Sequence, residues 1–255
     1  MKGVLYKDLG RMGYSECWDL QRSLFDCVLA AKRGGAVNGS ADVGTADMAV
    51  AGSADVGTAD MADLSGHEAG WLLTVEHNPV YTLGKSGKDE NMLVSEAYLR
   101  SIGAEFFHID RGGDVTFHGP GQIVGYPILD LEKVGIGLRE YIDSIEEAII
   151  GVCAEWDIEA GRVAGASGVW IEGDSPRARK ICAIGVRSSR YVTMHGFALN
   201  VTTDLRYFNH INPCGFVDRG VTSISREVGH EVDLEQVKMQ VVKHLSEKLK
   251  IEIYK

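Results

Sequence analysis

The segment Arg111-Gly-Gly-Asp-Val-Thr-Phe-His-Gly-Pro-Gly-Gln122 constrains this chain more than any other. Apolar, strand-like runs flank it, Ala104 to Asp110 before and Gln122 to Leu131 after. Glycine weakens a strand, and it is kept where the backbone turns sharply or must let a ligand come close. Gly112, Gly113, Gly119 and Gly121, together with Pro120, exceed what a plain turn requires. Arg111, Thr116, His118 and Gln122 accompany them. The segment therefore reads as the wall of a binding site rather than as a pair of hairpin turns.

The chain has 255 residues, enough to bury a full core as one large domain or two small ones. A formal charge of −10 argues against general nucleic-acid binding. No apolar run reaches membrane-spanning length. The segment Met1-Lys-Gly-Val-Leu-Tyr-Lys-Asp8 has neither a signal-like apolar stretch nor an arginine-rich presequence, so a cytoplasmic protein without a membrane partner is expected. Cys17, Cys27, Cys153, Cys182 and Cys214 form no Cys-x-x-Cys pair, which points away from a disulfide framework and from zinc. Neither His-Glu-x-x-His nor a Walker loop nor a Gly-x-Ser-x-Gly elbow occurs, and no metal or cofactor is expected.

Residues 39–49, Gly-Ser-Ala-Asp-Val-Gly-Thr-Ala-Asp-Met-Ala, recur word for word at 52–62. Two copies do not make a solenoid, and their small polar composition buries little. The reading is a single domain over 1–255 interrupted by a flexible insertion at 34–69. That insertion carries Asp42, Asp47, Asp55, Asp60, Asp63 and Glu68 but no lysine or arginine. In contrast, Arg177, Arg179, Lys180, Arg187 and Arg190 crowd together, a pattern that suits either an acidic partner or a solvated face.

Hydrophobic spacing predicts helices over Ser15–Lys32, Leu138–Trp156 and Asp233–Leu249, and a short helix capped by Ser95. Strands are predicted at Gly3–Leu9, Trp71–Val75, Gly168–Ile171, Lys180–Val186 and Val192–Val201, with a helical turn over Thr203–Phe208. Strands outnumber helices and hairpins are plentiful. The expected class is α+β, a mixed β-sheet flanked by helices, rather than a doubly wound parallel sheet.

Four of the cysteines fall in helix or strand cores, where burial makes a thiol inert. Cys214 instead sits between Pro213 and Gly215 on a loop, where functional groups are more often presented. An activator is needed, and Lys180 is a candidate because it opens an apolar strand. Period two would set Lys180, Cys182, Ile184 and Val186 on one face. A nearby ammonium favours a thiolate and can move protons. The pattern alone favours an edge lysine reaching solvent. His118, His195 and His210 are rival bases.

Taken together, these pieces resemble the lipoyl(octanoyl) transferases, relatives of the lipoate and biotin protein ligases. The matching elements are Glu76-His-Asn-Pro-Val-Tyr-Thr-Leu-Gly84, Arg111 to Gln122, Gly168-Val-Trp170, Lys180-Ile-Cys-Ala-Ile-Gly185, His195-Gly-Phe197 with Asn200, and Pro213-Cys-Gly215. They occur in the family's order and span nearly the whole chain. Phe117 departs from the pattern, standing where tyrosine or tryptophan is usual, and the 34–69 insertion has no familiar counterpart.

The resemblance implies a biotin/lipoate protein ligase-like fold. It makes Cys214 an acyl-thioester nucleophile and Lys180 its partner. The acyl pocket would be lined by Arg111, Gly112, Gly113, Asp114, Val115, Thr116, Phe117 and His118, and completed by Ala183, Ile184, Gly185, His195, Gly196 and Phe197. The implied donor is octanoyl-acyl carrier protein. The implied acceptor is a lysine on a lipoyl domain of a 2-oxoacid dehydrogenase or on the glycine cleavage H protein. Two rival readings remain, an ATP-dependent lipoate or biotin ligase and a non-catalytic module that binds lipoyl domains.

Overall fold

The chain begins with an eleven-residue strand, β1 (Lys2–Met12), and turns at Gly13 into helix α1 (Tyr14–Lys32). The structure is a computed structural model and describes residues 2–33, 69–212 and 220–254. The repeat at 39–62 and Cys214 lie outside the described residues. Cys17, Leu24, Phe25 and Val28 give α1 one buried face, as helical spacing requires.

A compact group of short elements follows. Strand β2 (Gly70–His77) is buried almost throughout, and β3 (Val80–Leu83) is buried completely. Helix α2 (Glu96–Ser101) starts where expected, with the Ser95 hydroxyl accepting from the Tyr98 amide. Strands β4 (Glu105–His108) and β5 (Val115–His118) pair on either side of β3, parallel and antiparallel respectively. The glycine-rich segment therefore contains a strand of its own. Its four residues are too short a run for periodicity to reveal.

Strand β6 (Gln122–Leu129) is fully buried. A single turn, α3 (Leu131–Val134), leads to α4 (Leu138–Ala154). The hairpin β7 (Ala160–Val163) and β8 (Ala166–Ile171) comes next, then the long hairpin β9 (Arg179–Ser189) and β10 (Val192–Asn200). A 3-10 turn spans Leu205–His210. The chain closes with β11 (Gly220–Val221), α5 (Ile224–Val228), α6 (Leu234–Leu249) and β12 (Ile251–Tyr254). The two short strands β7 and β12 were not anticipated from sequence, again because each has four residues.

Among the described residues, the main sheet runs β12-β1-β2-β6-β10-β9-β8-β7, with β11 added beside β9. Parallel pairs (β12-β1, β1-β2, β11-β9) and antiparallel pairs are mixed. Helix α1 packs Leu24, Phe25 and Val28 with Trp71, Leu73 and Val124. A separate core joins Ile145, Ile149 and Val152 of α4 and Val237, Val241 and Leu245 of α6 to Leu72, Val169 and Leu199 of the sheet. The small sheet β4-β3-β5 has its own core of Tyr81, Leu83, Val115 and Phe117.

Pro127 sits inside β6, where it has no amide to donate. The ladder to β10 stops short of it, at Phe197 opposite Gly125. The Thr193 hydroxyl bridges the gap, donating to the Pro127 carbonyl at 2.8 Å and accepting the Leu129 amide at 3.0 Å. Within this opened stretch His195 takes a left-handed backbone, φ +61°. A non-glycine residue there stores strain, which concentrates at functional sites.

Candidate functional site

A cavity of about 550 Å³ lies beside β9, bounded by the glycine-rich segment, β10 and the β7–β8 turn. Its volume is that of a small-ligand pocket. Ile142, Ile184, Val186 and Phe197 supply apolar wall.

Arg111, Gly112, Gly113, Asp114, Val115, Thr116 and His118 all line this cavity. So do Ala183, Ile184, Gly185, His195, Gly196 and Phe197. Phe117 does not: it is buried in the core of the small sheet, where its ring stacks on Tyr207 at 4.5 Å. Along β5, Thr116 and His118 turn to the cavity and Phe117 to that core, while Val115, on the same face as Phe117, borders both.

The glycine segment is docked on β9. The Gly112 amide donates to the Val186 carbonyl at 3.1 Å, along a stretch of β9 that β8 does not reach. A Cβ on Gly185 would lie 2.6 Å from Arg111 Cδ and 2.9 Å from the Gly112 carbonyl oxygen, so only glycine permits this approach. The Arg111 guanidinium braces the loop it begins, donating to the carbonyls of Gly112 at 2.7 Å and Asp114 at 2.8 Å.

Lys180 also lines the cavity, with Nζ 4.6 Å from the centre of the Trp170 ring. The expectation that Lys180, Cys182, Ile184 and Val186 share a face fails at its first step. Val169 pairs with Cys182 but Trp170 pairs with Lys180, which leaves Ile181 as an extra residue. This bulge turns Ile181 and Cys182 together into the helix-side core and leaves Lys180 on the cavity. Sequence carries no signal for it, because a bulge is a property of two strands in register.

Buried polar groups surround the cavity and fix one another's orientation. Gln122 Nε2 donates to the Phe117 carbonyl (3.2 Å) and to Asn200 Oδ1 (2.8 Å), and Asn200 Nδ2 donates to the Thr222 carbonyl (3.0 Å). Backbone carbonyls only accept, so both amides have one permitted orientation. Gln122 Oε1 must then accept from His118 Nδ1 at 2.8 Å. His118 is thus the Nδ1–H tautomer, with Nε2 left as an acceptor. Burial pushes its pKa down to about 3, with His77 adding to the effect. The chain continues to the catalytic candidate itself, because the Thr222 amide donates to the Lys180 carbonyl at 3.0 Å.

His77 and His195 are held in the same manner. His77 Nδ1 donates to the Met12 carbonyl at 2.9 Å, and its Nε2 takes the Tyr126 hydroxyl at 2.8 Å. Burial lowers its pKa to about 4. His195 Nε2 donates to Asp110 Oδ1 at 3.0 Å. Burial lowers the His195 pKa despite the opposing pull of that carboxylate, so the ring is neutral. The hydrogen bond from His195, then Arg187, holds Asp110 below the usual carboxylate range. Asp110 was missed from sequence. It looks there like an ordinary acid closing a strand, and its partners are Arg187 and His195, far along the chain.

The basic cluster does not present a row of unpaired cations. Arg177 pairs with Glu172, Arg179 with Glu172 and Glu227, and Arg187 with Asp110. Burial raises the thiol pKa of Cys17 and of Cys153 to about 12, and that of Cys182 further. Cys27 also shifts upward by burial. None of these four is primed as a nucleophile. Among the described residues no three His, Cys, Asp or Glu side chains group as a metal site, and no helix is long and apolar enough to cross a membrane.

A family model described as the lipoyl protein ligase A/B catalytic domain matches residues 60–246. An octanoyltransferase of Bacteroides fragilis is 50% identical over 232 residues, covering 91% of each chain. One of Flavobacterium johnsoniae is 44% identical over 253 residues, 99% of each. Among solved structures, the bipartite lipoate protein ligase of Thermoplasma acidophilum matches with a TM-score of 0.64 over 100% of this chain and 86% of its own, at 16% identity. A lipoate-protein ligase A bound with ATP matches with 0.62 over 100% and 88%, at 15% identity. Those two likenesses establish the fold, a mixed sheet with flanking helices, as the resemblance implied. The order of motifs, the cavity they wall and the match over most of the sequence agree, and the chain belongs to the lipoyl protein ligase A/B catalytic family.

Proposed function

We propose that this chain is an acyltransferase of protein lipoylation, which moves an octanoyl group onto the lysine of a lipoyl domain. The observation that carries the reading is the cavity: Lys180 opens onto a space with apolar walls, in a chain whose relatives at 44 to 50% identity are octanoyltransferases. Burying the acyl chain there contributes about 0.8 kcal/mol per methylene.

The donor is octanoyl-acyl carrier protein, and Cys214 carries the acyl group between donor and acceptor. The Cys214 thiolate attacks the donor thioester carbonyl. The carbon–sulfur bond to the donor breaks, and the leaving thiolate takes a proton from the Lys180 ammonium. A neutral acceptor amine then attacks the Cys214 thioester. It loses a proton to Lys180 as the amide forms, and the Cys214 thiolate is regenerated. Exchange of a thioester for an amide is downhill, so the cycle needs no ATP.

Intact mass after mixing with octanoyl-acyl carrier protein tests this, with Cys214→Ala alongside. An octanoyl adduct on the wild type alone, discharged by a lipoyl domain, is the expected result. ATP-dependent transfer of free octanoate without an adduct would replace it with a ligase. Binding of lipoyl domains without either activity would leave a binding module.

A further inference from the structure

Helix α4 buries one charged side chain, Glu146, with 4% of its surface exposed, among Tyr141, Ile145, Ala148, Ile149 and Val152. A carboxylate placed among apolar residues is costly unless its oxygens are satisfied. Both are, and by the two strands of one hairpin. Glu146 Oε2 accepts from Arg162 Nε of β7 at 2.6 Å, and Oε1 accepts from the Gly168 amide of β8 at 3.0 Å. Arg162 is fixed in turn by Glu147 at 2.6 Å and by the Asp143 carbonyl at 2.8 Å.

Gly168 is where β8 lies hard against β9. Its φ is +110°, and a Cβ on it would sit 2.4 Å from the Cys182 carbonyl oxygen and 3.6 Å from Lys180 Cδ. Two residues on, the Trp170 ring carries the Lys180 ammonium. The backbone that Glu146 grips is thus the seat of the Lys180 stem, and the bulge at Ile181 lies opposite it.

We infer that Glu146 is a positioning residue: through the Gly168 amide it clamps the β7–β8 hairpin to α4 and so fixes where Lys180 holds its ammonium. The inference rests on the role given to Lys180 above. A carboxylate suits the task because both oxygens accept. In E146Q the amide oxygen still serves Gly168, but the NH2 group faces the Arg162 donor. A general stabiliser of the fold would lower activity whether or not Lys180 is present. A clamp acting through Lys180 would not.

The experiment is a double-mutant cycle on octanoyl transfer, with melting temperature measured for every variant. E146A is expected to lower kcat by about a hundredfold, the cost of a misplaced group, with KM for the octanoyl thioester changed by less than about twofold. E146Q should stay within about threefold of wild type, since the Gly168 hydrogen bond survives. In the K180A background E146A should cost less than about twofold more. Losses that multiply in the double variant, or a loss in KM rather than kcat, overturn the clamp while leaving Lys180 in its role. A K180A enzyme as fast as wild type overturns the assignment of Lys180 and the inference with it. If E146A does not fold, E146D keeps the charge and shortens the strut, and its expected loss of about tenfold enters the same cycle.

Discussion

Between α4, α6 and the sheet, the chain buries Ile145, Ile149, Val237, Val241 and Leu245. Around the cavity it also buries His77, His118, Gln122, His195 and Asn200. The first region is held by area removed from water, which is non-directional and tolerant of detail. The second is held by hydrogen bonds in which each partner dictates the next one's orientation. Burial alone therefore does not distinguish a core from a site. What distinguishes them is whether the buried groups could be exchanged for others of similar volume.

Three measurements test that contrast. The largest effect is expected at the docking of the glycine segment. Gly185→Val places a side chain where Arg111 and the Gly112 carbonyl now lie, and kcat/KM for octanoyl transfer should fall about a thousandfold, roughly 4 kcal/mol of transition-state stabilisation. Transfer near the wild-type rate would mean the segment works without that close approach.

On the helix side, Ile149→Ala should lower the unfolding free energy in urea by about 3 kcal/mol while leaving kcat within about twofold of wild type. A large loss of kcat at unchanged stability would erase the distinction between the two regions.

The smallest effect is the slope in pH that a single histidine contributes. His118 and His77 are held neutral down to about 3 and about 4, whereas in the unfolded chain they take a proton near 6.5. Over that window the unfolded state binds more protons. The stabilisation is therefore whole above pH 6.5 and drains away as pH falls, at about 1.4 kcal/mol per pH unit for each histidine. Urea unfolding between about pH 6 and pH 4 measures it, and His118→Gln should lower the slope by about 1.4 kcal/mol per pH unit. A flat profile would show that these rings titrate freely.

The long elements were legible in the sequence because their periodicity spans many residues. Helix α1 and helix α6 start within a residue of expectation. The glycine segment was legible as a wall because composition alone marks it. The bulge at Ile181, the Asp110–His195 pair and the grip of Glu146 on Gly168 were not. Each depends on which strands become neighbours, and the residues involved look ordinary until they do. Phe117 shows the reverse failure: it lies within the right motif, but the pleat of β5 turns it away from the cavity. The ion pairs that Arg177, Arg179 and Arg187 make with Glu172, Glu227 and Asp110 were likewise invisible in the sequence.

The pairing of β1 with β12 has a consequence for how the molecule is made. Val4 lies beside Ile253 in a parallel ladder, so β1 is synthesised well before the strand that borders it. Until then β1 has β2 on one side and an open row of amides and carbonyls on the other, the kind of edge that invites pairing with another chain. The nascent protein thus passes through a stage at which the rest of its sheet can assemble while one margin stays adhesive. Its safety during synthesis depends on how quickly residues 251–254 arrive to close it.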